Sequence, residues 1–241
     1  TAALIVKGVN PFIACIVSFA AGCMGGLVTG ILHVKFKITN LLSGILVMLG
    51  LYSINLRIMK KSNVPLFGEK TIFSSSIAPL VIIVLFAILS KILLDLFLKT
   101  KLGFLLKAVG DNEQLVSSLG VNKDVIKVIG LMISNGLVAL AGSIMAQQGG
   151  FADVGMGMGT VVIGLAAVIM GESLFGKINF IKATTTTILG SILYKGAIAL
   201  ALKFGLQSAD LKLITAVIVV IALSLNGKSL NFKRKNKAIV G

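Results

Sequence analysis

Seven apolar stretches, at about 12–34, 38–56, 72–98, 125–148, 155–171, 178–202 and 206–225, are each long enough, or nearly so, to cross a hydrocarbon core, which needs about 20 residues. Inside a bilayer no water bonds to the backbone, so each N–H and C=O must pair within its own segment and such spans are helices. Residues 1–9 read as the end of an earlier span. The fold class is therefore all-α: a polytopic helical membrane protein with about seven to eight transmembrane helices, in a single transmembrane domain over 1–241. Composition agrees, with 56% hydrophobic and 13% charged residues where a soluble domain carries about 25% charged. The chain opens on Thr1 inside an apolar stretch, so the N-terminal end of the protein is expected to be missing.

One long polar interval, 99–127 (KTKLGFLLKAVGDNEQLVSSLGVNKDVIK), interrupts this pattern. It is too charged to cross a membrane, and its punctuation predicts a short helix. Gly110 is expected to break the preceding segment; Asp111 or Asn112 can accept from free N–H groups of a new helix, and Glu113 favours its positive end. Leu115 and Leu119 lie one turn apart beside Val116, and Gly120 suits a left-handed terminus. A helix of about two turns is marginal alone in water. It needs a partner surface outside the membrane.

The basic residues give the orientation. With the interval cytoplasmic, 15 of the 23 Lys and Arg fall inside: Lys35 and Lys37, six lysines from Lys91 to Lys127, Lys177 and Lys182, and five in a basic cytoplasmic tail over 226–241. The positive-inside rule favours this arrangement. The outer 57–70 loop, with Arg57, Lys60, Lys61 and Lys70, runs against it. The net charge of +15 lies in the gaps between apolar runs and forms no basic stripe with interleaved aromatics, which argues against nucleic acid.

Ala14, Ser18, Gly22, Gly26 and Gly30 recur every four residues in the first span and make a smooth face for another helix backbone. Ala183, Thr187 and Ser191 repeat the pattern later. Gly155, Gly157 and Gly159 weaken a helix start and predict a broken or re-entrant outer end. Polar residues inside spans are candidates for a substrate path, chiefly Asn55, Asn135 and Gln147; Ser53, Ser134, Gln148 and Thr184 to Thr187 are others. Each can instead bond across helices or to its own backbone. No span carries a carboxylate near its middle, with Asp95 and Glu172 near cytoplasmic ends, which weighs against the alternative of an ion-driven secondary transporter or channel. A membrane scaffold is a further alternative.

Two motifs mislead. GESLFGKI at 171–178 fits the phosphate-loop spacing but has Ile178 where a hydroxyl is needed, and it follows a membrane span where a strand is required. His33 stands at a membrane edge with no second ligand type beside it, so no metal site is expected. Cys15 and Cys23 sit in an apolar run and read as packing residues. No nucleophile and base pair suggests catalysis.

From GFLLKAVGDNEQLVSSLGVN through the glycine-rich GMGMG to 176, the chain resembles permease subunits of the branched-chain amino acid and ribose class of bacterial ABC importers. Ala108, Gly110, Asp111, Asn112, Gly120, Val121, Asn122, Ala141 and Gly142 carry the likeness. Lys107, where Arg is usual, and Ser117, where Ala is common, depart from it. The stretch 33–67 is similar to an uncharacterised branch found beside lipoprotein or periplasmic-type binding proteins, some linked to aromatic amino acids. The resemblance implies that 99–124 is a cytoplasmic coupling loop whose helix, including Gly110, Asp111, Asn112, Glu113, Leu115, Leu119 and Gly120, docks on a separate ATPase. It also implies an extracytoplasmic binding protein at the outer 57–70 and 149–154 loops, a second permease copy, and a cell-membrane location. This chain would hold no cofactor, with ATP and magnesium on the partner subunit. Transport of a small solute, an amino acid by this likeness, would proceed by alternating access.

Overall fold

The computed structural model describes residues 1–75, 77–176, 182–203 and Val217. Contacts divide the chain into two compact units, Thr1–Met156 and Gly157–Gly241. The first contains α1 (Ala2–Ile5), α2 (Pro11–Val34), α3 (Asn40–Met59), strand β1 (Asn63–Pro65), a 3-10 turn (Ile72–Ser74), α4 (Pro79–Lys99), α5 (Lys101–Asp111), α6 (Glu113–Ser118), α7 (Lys123–Gly149) and β2 (Phe151–Asp153). The second contains α8 (Thr160–Phe175) and α9 (Ala183–Lys203).

Five of these helices, α2, α3, α4, α7 and α9, are long and apolar enough to cross a membrane. This is fewer than the seven to eight expected. The stretch 206–225, apart from Val217, and the tail 226–241 lie outside the described residues. Residues 155–159 are turns, with Gly159 at φ 84°, so α8 begins only at Thr160 and has 16 residues. At 1.5 Å per residue it is roughly 24 Å long, short of a full span. Residues 1–9 hold only four helical residues, and Ala2 and Ile5 are buried with Ala14 and Leu66. The third span also starts late: Pro79 occupies the first turn of α4, where its missing N–H has no helical partner to lose.

The centre of the first unit is the contact between α2 and α7. A methyl group at Gly26 would lie 2.7 Å from Met132 Cα, and one at Gly30 would lie 2.9 Å from a Val128 methyl. Gly22 similarly faces Asn135, Gly136 and Ala139, so the pair runs antiparallel. The predicted small-residue face thus packs on α7 through Gly22, Gly26 and Gly30. Ala14 is buried with α1 and Leu66, and the Ser18 hydroxyl bonds to the Ala14 carbonyl and to Thr1.

Strands β1 and β2 pair antiparallel, with Asn63 opposite Asp153 and Pro65 opposite Phe151. Since they join the end of α3 to the end of α7, both loops must lie on one side of the membrane. Positive-inside counting assigns both to the outer side. His33 Nδ1 donates to the Ile38 carbonyl at 2.8 Å across the α2–α3 turn, and Cys15 and Cys23 pack within the unit as free thiols.

Within the second unit, Gly171 of α8 approaches Gly190 of α9, while Thr186 and Tyr194 are buried. The contact face of α9 is therefore 186, 190 and 194, rotated from the expected 183, 187 and 191. Thr187 and Ser191 instead donate to their own helix at the Ala183 and Thr187 carbonyls. α8 runs as a helix through Gly171 to Phe175, while residues 177–178 of the phosphate-loop-like stretch lie outside the described residues.

The seam makes a direct prediction. Gly26→Leu should lower stability by about 1–3 kcal/mol or more through overpacking, whereas Gly44→Leu on α3, with nothing within 4 Å of the added carbon, should melt like wild type. Thermal unfolding of the two variants in detergent checks this, and equal melting temperatures would contradict the seam.

Candidate functional site

Between α4 and α7 the polar interval folds into two helices where one was expected. Thr100 caps α5, accepting from the Gly103 N–H at 3.2 Å. The helix runs through Gly110 and ends at Asp111, so Gly110 does not break it. The break is at Asn112, whose backbone is extended (φ −155°, ψ 101°). Its side chain accepts from the N–H groups of Gln114 and Leu115, at 3.0 and 3.2 Å, and so caps α6.

The far end of α6 closes as a Schellman motif. Gly120 takes φ 74°, its N–H reaches the Ser117 carbonyl at 3.1 Å, and the Val121 N–H reaches that of Val116 at 3.4 Å. A side chain would be strained at that φ, which accounts for glycine here. Asn122 then caps α7 by accepting from Asp124 and Val125.

Two faces of α6 have different surroundings. Val116 is fully buried against Val109 of α5 and Ile126 of α7, with Leu105, Leu106 and Val121 around them. Leu115 and Leu119 are 54% and 64% exposed. The sequence groups all three as one apolar face, and the structure separates the inward valine from the two outward leucines. Glu113 faces α7, with its carboxylate 3.1 Å from Lys123 Nζ and 2.5 Å from Lys127 Nζ. Hydrogen bonds from Lys127 and then Lys123 hold its pKa below the ordinary glutamate value.

The three path candidates do not converge. Asn55 is exposed on α3. Asn135 donates to the Leu131 carbonyl of its own helix at 2.9 Å. Gln147 is 3% exposed and committed: its Oε1 accepts from Ile72 N at 3.1 Å, and its Nε2 donates to Cys15 Sγ at 3.2 Å and Ser143 Oγ at 3.5 Å. This network ties the 3-10 turn to α2 and α7. The sequence holds no local signal for it, because its members come from three separate segments. Asp95 pairs with Lys91 at 2.9 Å on α4.

Glu113 sets a pH dependence. Its folded pKa lies below the unfolded value, so its ion pairs contribute fully above about pH 4.3, the ordinary glutamate value, and are lost as pH falls through the depressed one. The difference in melting temperature between wild type and Glu113→Gln should stay constant from about pH 8 to pH 5 and vanish in acid. A difference that already fades near neutrality would contradict the two-lysine contact.

The family model for the permease component of the branched-chain amino acid transport system matches residues 1–224. The chain is 54% identical over 234 residues to a tyrosine transport system permease protein of Clostridioides difficile (strain R20291), covering 97% of this chain and 79% of that protein. It is 34% identical over 222 residues to the uncharacterised protein RP368 of Rickettsia prowazekii (strain Madrid E), covering 88% and 78%. A nucleoside ABC transporter permease protein, NupC of Lactococcus lactis subsp. cremoris (strain MG1363), shares 31% identity over 169 residues, 68% of this chain and 50% of that protein. No solved structure matches. These matches give no support to an ion-driven carrier. Together with five apolar helices of spanning length, they identify the chain as a multi-pass protein of the bacterial cell membrane that belongs to the branched-chain amino acid ABC transport permease family.

Proposed function

We propose that this chain lines the translocation path of an ABC importer for a small amino acid-like solute and is driven through α6 by a separate cytoplasmic ATPase. The observation that carries the proposal is the split of α6: a valine anchors it to the membrane unit while Leu115 and Leu119 stand exposed on a helix capped at both ends. A six-residue helix that, together with its C-cap residue Leu119, presents two large apolar side chains to water is ready to enter an apolar groove. ATP and magnesium then belong to the partner, and alternating access follows as a two-state equilibrium biased by nucleotide on one side and the loaded binding protein on the other.

On the outer side, the paired 57–70 and 149–154 loops offer a folded surface to that binding protein. The relative that transports tyrosine favours an amino acid substrate. Exposed apolar faces of α3 and α4 suit lipid and a second permease copy. Asn55 and Asn135 remain the path candidates, and Gln147 acts beside them as a buried tie.

Leu115→Asp tests the proposal, because it places a charge on the docking face and leaves Val116 untouched. In proteoliposomes with the cognate ATPase and loaded binding protein, stimulation of ATP hydrolysis and solute uptake should both fall by about tenfold or more, the cost of burying an unpaired charge. Unchanged uptake would remove α6 as the docking element.

A further inference from the structure

Docking through Leu115 and Leu119 leaves open how a push on so short a helix reaches the membrane. Six residues joined to α7 by a turn over 119–122 could pivot, and the apolar contact of Val116 resists separation but is non-directional. One carboxylate held by two ammonium groups is directional. Lys123 and Lys127 lie one turn apart on α7, and Glu113 at the start of α6 bonds both. α6 is therefore tied to α7 at its first residue by charge, along its body by Val116, and at its end by the turn into Asn122.

We infer that Glu113 is a positioning residue: by holding Lys123 and Lys127 together it fixes the register of α6 along α7, so that displacement of α6 is carried into the spanning helix. Its oxygens face the permease and leave ATPase contact to the leucines. Because α7 packs backbone-close on α2 through Gly22, Gly26 and Gly30, the motion delivered to α7 moves that pair as one body. The inference rests on the docking role of α6 proposed above.

The test measures two quantities in proteoliposomes containing the permease, its ATPase and the loaded binding protein: retention of the ATPase and solute taken up per ATP hydrolysed. Glu113→Gln should retain the ATPase while uptake per ATP falls about threefold or more, within the range found for residues that carry coupling. The charge-reversed variant Glu113→Lys with Lys123→Glu and Lys127→Glu should bring the ratio back to within about twofold of wild type. Unchanged uptake per ATP in Glu113→Gln overturns the inference. Loss of ATPase retention in that variant also overturns it, since Glu113 would then be a docking contact. A reversed triad that melts like wild type without restoring the ratio overturns it as well. Leu115→Asp keeps the two levels apart: if it has no effect, the docking role of α6 falls, whereas a severe Leu115→Asp defect beside a normal Glu113→Gln removes the positioning role alone.

Discussion

Close approach of the α2 and α7 backbones is the constraint on which the first unit depends. Lipid tails are as apolar as leucine, so helices in a bilayer gain little by hiding hydrophobic surface from each other and depend on packing and hydrogen bonds. Gly26 and Gly30 let the partner backbone come to distances that any side chain would prevent. The other elements are fastened to this pair. α3 follows α2 through the His33 turn, α4 to α6 lead into α7, and β2 follows its C-terminal end to pair with β1.

The two ends of α7 are tied by different chemistry. At the water-facing end, Glu113 uses formal charge on two partly exposed lysines, where pairing the ions costs little desolvation. At the buried end, Gln147 uses a neutral amide to hold Ile72, Cys15 and Ser143. A charge there would carry a large desolvation penalty, and an unbonded amide would cost roughly 1–3 kcal/mol. Gln147 therefore connects the segment leading into α4 to the same helix that Glu113 connects to α6. In the proposed cycle, α7 is the element that nucleotide and binding protein both act upon.

Much of this was legible in the chain because it follows from local chemistry. Span length, the Asn112 cap, the Gly120 terminus and the glycine spacing of α2 depend on residues a few positions apart. What could not be read depended on distant partners. Gly110 looks like a breaker, yet α5 passes through it because Val109 beside it is buried against α6 and α7. Gln147 looks like a path residue until Ile72 and Cys15 are brought to it. In α9 the small residues suggest one face, but Tyr194 needs room against Ala166 and Ala167 and selects another. Alternate glycines foretold an irregular start to α8, though not how far it would shorten the helix.

In the proposed coupling, α6 and α7 move as one body. Paired spin labels at the exposed positions Ser118 and Val138, with Cys15 and Cys23 replaced, would measure it directly in the assembled transporter. Motion as one body predicts one interlabel distance in the nucleotide-free, ATP-bound and turning-over states while uptake proceeds. A distance that changes with nucleotide would show α6 sliding or pivoting on α7 and would contradict it.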